Sequence, residues 1–182
     1  QPAEAYAALM RRTFHPWEGG EGRTTGQYVI SLTEQARALI GAGEHAAAAE
    51  LLGRARAFPH NLGEGKLPNA QENNLTYYLG LAHAGMGQPE RAREYFEQAA
   101  TGLSEPTSAV YYNDQPPDMI FYQGLARRDQ VLVENGRIAA AGRRGEAVRK
   151  ARHDALRGFV PGQAGLVGVL LSEVGARRRE PG

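Results

Sequence analysis

Two helical patterns of the same kind recur 44 residues apart, and this repeat limits the possible folds more than any other feature. Residues 88–99 carry apolar side chains at the i, i+3, i+4 and i+7 positions of one helical face: Ala92, Tyr95, Phe96 and Ala99. The same spacing occurs 44 residues earlier, at Ala48, Leu51, Leu52 and Ala55. A helix with one apolar face needs a partner to cover it, and a repeated unit covers it with its own copies. We therefore expect a stack of similar helical units.

A further helix precedes each of these two helices. The segment YYLGLA at 77–82 is followed 44 residues later by FYQGLA at 121–126. Gly43 and Gly87 separate the paired helices, at positions where a left-handed backbone favours glycine. Pro89 suits the first position of a helix, because its missing N–H costs nothing there. The chain is therefore predicted to form helical hairpins.

Polar residues near the expected starts of the first helices predict their N-caps. Asn74 and Asp118 occupy matching positions, and side chains of these types accept hydrogen bonds from the free N–H groups of a helix start. Thr24 and Gln27 have the spacing of a capping box.

The order of small and large residues resembles the tetratricopeptide repeat (TPR) signature. Small residues in that signature let the two helices approach, and larger ones fill the groove between them. The residues that carry the resemblance are Leu79, Gly80, Gly87, Ala92, Phe96 and Ala99. The resemblance implies an all-α fold, a right-handed α-solenoid of about three TPR-like helical hairpins with long inter-repeat loops.

The whole chain, 1–182, is expected to form one helical repeat domain. Its expected parts are a leftover helix of a preceding hairpin at 2–12, hairpin 1 at 24–58, hairpin 2 at 73–102, hairpin 3 at 118–157 and a terminal helix at 163–177. The second helix of hairpin 3 has two candidate starts, one near Asn135 and one after Gly145, and both stay open.

The connections between hairpins are long and chemically unlike the helices. A TPR unit has about 34 residues, so a spacing of 44 leaves about ten extra residues in each connection, and such loops are often functional. The motif GEGR at 20–23 returns as GEGK at 63–66. A third connection occupies 111–118. All three precede the first helix of a hairpin, so we expect a solenoid to place them side by side at one edge.

The sequences of these connections support a narrower resemblance. The segments WEGGEG, NLGEGK and YYNDQPPD resemble the C-terminal repeat region of large bacterial proteins, over residues 14–126. In those proteins a β-sandwich domain of uncharacterised function, related to carbohydrate-active enzymes, precedes the repeats. The resemblance implies a fragment of a larger bacterial protein. The start at Gln1, in place of an initiator methionine, gives the same expectation.

Two interpretations are open for the polar residues of the loop edge. An exposed tryptophan and paired carboxylates could bind or process a sugar. Alternatively, the tryptophan fills a groove between hairpins, while the glutamates cap backbone N–H groups or pair with the nearby cations. The repetition of GEGR as GEGK favours this structural role. The candidate loop-edge residues are Trp17, Glu18, Glu21, Arg23, Glu64, Lys66, Tyr112 and Asp114.

The concave face of the hairpins is a second candidate surface. First helices of TPR arrays line a groove that holds a peptide or another domain, and aromatic and arginine side chains often anchor such interfaces. The candidates are Asn74, Tyr77, Leu81, Asp118, Phe121 and Arg128. Tyr77 and Phe121 are equally compatible with packing between hairpins.

Composition argues against several other classes of function. The formal net charge is +1, from 21 basic and 20 acidic residues, whereas nucleic-acid-binding surfaces usually carry a basic excess. The chain has no cysteine. The longest apolar run, at 166–171, is far shorter than the roughly 20 residues that cross a bilayer. His15 and His60 lack the spacing of metal ligands, and no P-loop is present. We therefore expect no cofactor, no metal, no catalytic residue, no nucleic-acid or membrane partner, and a cytoplasmic location.

The leading hypothesis is a non-catalytic protein–protein or interdomain interaction scaffold of the TPR type. Its partner would be a protein, a peptide or the upstream domain of the same chain. The alternative is a carbohydrate-binding or glycoside-processing accessory region whose polar loops complete a site with a missing domain. The sequence does not indicate an oligomeric state.

Overall fold

The computed structural model describes residues 1–15, 18, 20–106 and 116–135, and all regular structure in this part of the chain is helical. The helices are α1 (Pro2–Met10), α2 (Arg23–Ala42), α3 (His45–Ala55), α4 (Asn73–Gly85), α5 (Pro89–Ala99) and α6 (Pro117–Glu134), with a 3-10 turn at His60–Leu62. The expected all-α class is confirmed for these residues. The second helix expected for hairpin 3 and the terminal helix at 163–177 lie outside them.

The turns within the two complete hairpins have the same hydrogen-bond pattern. Gly43 ends α2 with a φ of 85°, and Gly87 follows α4 with a φ of 72°. The amide of Glu44 donates to the carbonyl of Leu39, and the amide of Gln88 donates to that of His83. Together with the bonds from the two glycine amides, these contacts form Schellman motifs, which only a left-handed residue permits. Both glycines are therefore required by the backbone, as the sequence predicts.

Hairpins that are adjacent in the chain are also adjacent in space. Helix α2 packs on α3, and α4 packs on α5, within each hairpin. Between hairpins, α3 contacts α4 and α5 contacts α6, while the first helices contact one another as α2 with α4 and α4 with α6. Helix α1 packs on α2, as the second helix of a hairpin packs on the first helix of the next.

The core repeats with the period of the sequence. Ala48 and Ala92, 44 residues apart, are fully buried, and so are Leu52 and Phe96, and Ala55 and Ala99. The predicted apolar faces are thus confirmed, with Leu51 and Tyr95 half-buried at their edges.

Gly80 allows α4 and α5 to approach closely. A Cβ atom at this position would lie 2.5 Å from the ring of Phe96, which is fully buried and cannot turn aside into solvent. Gly53, on the exposed side of α3, has no atom within 4 Å of the corresponding position. Glycine at position 80 therefore serves packing, since a glycine in a helix interior otherwise costs stability.

A buried hydrogen bond joins α4 to α6. The hydroxyl of Tyr77 donates to Oδ2 of Asp129 over 2.7 Å, and Arg128 forms an ion pair with the same carboxylate. Tyr77 has no exposed surface. The prediction that Tyr77 belongs to a binding face is therefore wrong, because its ring fills the core between α4, α5 and α6. Burial raises the pKa of Asp129 above its ordinary value, although Arg128 and Tyr77 act in the opposite direction.

The predicted helix caps are wrong in position. Helix α2 begins at Arg23 with Gly22 as its N-cap, so Thr24 lies inside the helix and forms no capping box with Gln27. Asn74 and Asp118 are likewise the second residues of α4 and α6. The amide of the N-cap residue Gly22 donates instead to Glu64, which lies in another loop.

The packing of Gly80 predicts a contrast between two glycine substitutions. Gly80→Ala should lower the free energy of unfolding, because overpacking costs about 1–3 kcal/mol and exceeds the roughly 1 kcal/mol of helix propensity that alanine gains over glycine. Gly53→Ala should raise it by up to about 1 kcal/mol. Urea denaturation of both variants measures the difference. Equal stabilisation by the two substitutions would contradict the close approach at Gly80.

The buried carboxylate of Asp129 predicts a pH dependence. A carboxyl group whose pKa is raised in the folded state binds its proton more tightly there, so its contribution to stability is present below the ordinary pKa of 3.8 and is lost as pH rises through the folded pKa. The stability of Asp129→Asn relative to the natural protein should therefore increase as pH rises from about 3 to 7. Denaturation at several pH values tests this, with the exposed Glu97→Gln as control. A relative stability that falls with pH would mean that Arg128 and Tyr77 outweigh burial.

Candidate binding groove

An open groove lies where the starts of three helices meet the loop between α3 and α4. Its volume is about 560 Å³. It is lined by Glu21 and the first turns of α2, by the first turns of α4 and α6, and by Phe58 and residues 63–67 and 70–72 of the loop. We call this cavity the groove.

The apolar part of the groove comes from all of these elements. Its larger apolar side chains are Val29, Ile30, Phe58, Leu67, Leu75 and Met119. Ile30 is 56% exposed, and Leu67 on the loop is 41% exposed. The groove therefore presents apolar surface to solvent.

The first two connections lie side by side, as the repeat predicts. The amide of Phe14 donates to the carbonyl of Asn61 over 2.8 Å. Gly63 has a φ of 80°, and a Cβ atom there would lie 2.5 Å from the carbonyl oxygen of Phe14. The side chain of Asn61 donates to the carbonyls of Leu9 and Arg12, over 3.1 and 2.8 Å. The second loop thus caps the carbonyl end of α1, and these contacts hold one wall of the groove in place.

Glu64 caps α2 from this loop. Its Oε2 accepts from the amide of Gly22 over 2.9 Å and from the hydroxyl of Thr25 over 3.2 Å. A carboxylate at a helix N-terminus is stabilised both by the free N–H groups and by the helix dipole. The glutamate of the GEGK motif therefore joins two parts of the chain that are 42 residues apart.

Lys66 belongs to a different cluster from the one that the sequence suggested. Its ammonium group bonds to the carboxylate of Glu72 and donates to the carbonyl of Arg56 over 3.2 Å. The guanidinium of Arg56 binds the other oxygen of Glu72 over 3.1 Å. The expected pairing of Lys66 with a glutamate of the motif is therefore wrong, because Glu72 lies closer and accepts both cations. Arg23 is exposed, and no ion pair involves it within the described residues.

The other predicted loop-edge residues differ in their positions. Glu21 lines the groove and is exposed. Glu18 is exposed and is not among the lining residues. Trp17, Tyr112 and Asp114 lie outside the described residues.

The predicted concave face divides into two groups. Asn74 and Asp118 line the groove. The other four residues do not: Tyr77 is buried, Leu81 and Phe121 are half-buried against the core and Tyr122 respectively, and Arg128 is paired with Asp129. Tyr77 is therefore a packing residue, whereas the other three are half-buried residues that do not line the groove.

One helical turn beyond Ile30, Asn74 and Asp118, a tyrosine pair lies along the same helical faces. The hydroxyls of Tyr78 and Tyr122 are 3.5 Å apart, and the guanidinium of Arg37 lies 5.8 Å from the ring centre of Tyr78. Burial raises the pKa of both hydroxyls, most of all that of Tyr122. They therefore remain neutral hydrogen-bonding groups.

Sequence reasoning missed several residues of the groove. Ile30 could have been found, because it precedes Asn74 by 44 residues and Asn74 precedes Asp118 by the same interval. These three residues are one repeated position on three neighbouring helices. Leu75 and Met119 are related by the same interval. Phe58 and Glu72 have no such signal, since their place depends on how the loop folds back.

No arrangement in the described part of the chain suggests a metal centre. Groups of three or more His, Asp or Glu side chains that could hold an ion are absent among those residues. No helix within the same residues is long and apolar enough to cross a membrane. The carboxylate of Glu64 accepts hydrogen bonds within the chain, and that of Glu72 forms two ion pairs.

No protein-family model matches this chain, and no solved structure matches it. The function therefore has to be inferred from the groove itself.

The cap at Glu64 predicts that two equivalent acids of the sequence motif differ in their effect on stability. Glu64→Ala should lower the free energy of unfolding by about 0.5–2 kcal/mol, as for other lost helix caps. Glu21→Ala should change it by less than about 0.5 kcal/mol, because this side chain is exposed. Chemical denaturation of the two variants measures both values. A similar loss for both acids would exclude a specific role of Glu64 at α2.

Proposed function

We propose that the protein is a non-catalytic interaction scaffold of the TPR type, which docks a segment of a partner protein, or of its own upstream domain, in the groove. The observation that carries the proposal is the apolar surface of the groove, which includes Ile30 with 56% of its surface exposed. Exposed apolar surface with a polar border is typical of interaction sites.

The hairpin geometry supports the TPR-type part of the proposal. Two hairpins end their first helices in Schellman turns at Gly43 and Gly87, and Gly80 meets the ring of Phe96. A small residue facing a large one across a helix pair is the packing that the TPR resemblance implies. We propose that a right-handed α-solenoid of about three hairpins results from the repetition of this unit.

The size and lining of the groove suit a short segment of a protein. Pockets that enclose small ligands have volumes of roughly 300–1,000 Å³, and the volume of about 560 Å³ lies within that range. Its apolar floor and charged border match the usual anatomy of protein interfaces. An extended segment of a few residues could place one or two side chains on Ile30 and Leu67.

The walls of the groove are held in place before any partner arrives. Glu64 joins the loop to α2, Asn61 joins it to α1, and Glu72 joins its two ends through Arg56 and Lys66. A preformed site loses less conformational entropy on binding. This rigidity supports a docking role for the groove.

The carbohydrate alternative has weaker support from the described residues. A sugar site usually needs an aromatic ring for stacking, and Phe58 is the aromatic residue among those that line the groove. Phe58 is half-buried and meets Tyr28 edge to face. Trp17, the stronger candidate, lies outside the described residues.

A matched pair of substitutions tests the docking role. Phage-displayed random peptides selected on the natural protein should bind Ile30→Asp at least about tenfold more weakly, since tenfold corresponds to about 1.4 kcal/mol. Leu103→Asp is the control, because Leu103 is 58% exposed and is not among the residues lining the groove. Fluorescence anisotropy measures the affinities, and a glycan array examines the alternative.

Peptides that bind Ile30→Asp as tightly as the natural protein would contradict docking in the groove. Glycans that bind and lose affinity in the same variant would favour the carbohydrate alternative instead.

A further inference from the structure

We infer that the groove selects a peptide segment in which lysine or arginine flanks an aliphatic side chain. This inference rests on the proposed function and adds the chemistry of the partner. It depends on two features of the groove that occur together, the exposed apolar floor and an uncompensated acidic border.

The charged side chains of the groove are mostly acidic. Lys66 is the single cation among the lining residues. Four carboxylates line the groove: Glu21, Glu64, Glu72 and Asp118. The net charge of the whole chain is +1, so this acidity is local. A local potential of one sign attracts the opposite charge to the site.

Internal pairing divides the groove into one part around Glu72, where two cations meet one carboxylate, and another part that stays negative. Lys66 and Arg56 both bind Glu72, so these cations are already engaged. Glu64 is bound by an amide and a hydroxyl, which are neutral groups and leave its charge in place. No ion pair involves Glu21 or Asp118 among the residues that the structure describes. The helix starts offset part of the remaining charge.

Apolar side chains line the same cavity as these charges. Ile30 and Leu67 are exposed, and Val29 and Met119 lie beside them in the same cavity. Burial of a leucine or isoleucine side chain is worth about 1.5–3 kcal/mol. The aliphatic side chain would therefore supply affinity, while the cations beside it would meet the carboxylates.

The same two features disfavour other partners. An acidic peptide would place like charges beside Glu21 and Asp118, and like charges that face each other across an interface oppose binding. A nucleic acid would be repelled for the same reason. A fully polar basic peptide would leave Ile30 and Leu67 exposed. A segment with both an aliphatic side chain and flanking cations can cover the apolar side chains and meet the carboxylates.

Three labelled peptides of equal length test the inference directly. The probe is Gly-Lys-Leu-Lys-Ile-Gly, the charge control is Gly-Glu-Leu-Glu-Ile-Gly, and the apolar control is Gly-Lys-Ser-Lys-Ser-Gly. Fluorescence anisotropy with the full chain at pH 7 and low salt should show the probe binding at least about tenfold more tightly than either control, a difference of about 1.4 kcal/mol or more. Raising the salt concentration should weaken the binding of the probe, because salt screens exposed charges.

A charge-reversed variant provides the decisive comparison. The double substitution Glu21→Lys and Asp118→Lys changes two exposed residues and should leave the helical circular dichroism unchanged. It should invert the preference, so that the acidic peptide binds more tightly than the basic one. A basic probe that does not bind the natural protein, or binds no better than the acidic peptide, would overturn the inference.

The outcomes also separate this inference from the proposed function. Selected peptides that depend on Ile30 but show no preference for basic residues would overturn the inference and leave the docking role intact. Peptides whose affinity is unchanged in Ile30→Asp would contradict the docking role as well. Retained preference for the basic probe in the charge-reversed variant would exclude Glu21 and Asp118 as its cause.

Discussion

The groove depends on one hydrogen-bonded carboxylate, the side chain of Glu64 at the start of α2. This group binds the amide of Gly22 and the hydroxyl of Thr25, and so ties the α3–α4 loop to a helix that begins 41 residues before it. Asn61, three residues earlier, ties the same loop to the end of α1. Because free N–H and C=O groups at helix ends must find partners, a single loop completes two helices. Its path around them creates one wall of the groove.

In the groove, paired loop residues lie beside exposed apolar side chains. Lys66 and Glu72 of the loop are paired within the chain, whereas Ile30 and Leu67 are exposed to solvent. A chain that needed only to join its hairpins would gain stability by covering these side chains, since burial of apolar surface is favourable. Their exposure beside a rigid polar frame is the physical reason for assigning the groove a role in binding.

The repeat made some tertiary features predictable because equivalent positions meet equivalent surroundings. Ala48 and Ala92 are both fully buried, and Gly43 and Gly87 both take a left-handed backbone. Tyr77 shows the limit of this reasoning. It lies on a helix that is buried over most of its length, so helical spacing could not decide whether its ring faces a binding surface or fills the core. Contacts with α5 and α6 decided it, through Phe96 and Asp129.

By itself, the sequence determined the helical hairpins, their glycine turns, their apolar faces and the adjacency of the first two loops. These features follow from local backbone preferences and from a period of 44 residues, and both can be read along the chain. Only the tertiary structure decided that Glu64 caps α2 and that Lys66 pairs with Glu72. Each of these contacts joins residues whose separation depends on how a loop without a regular period folds back, and hydrogen-bond geometry over a few ångströms selects the partner.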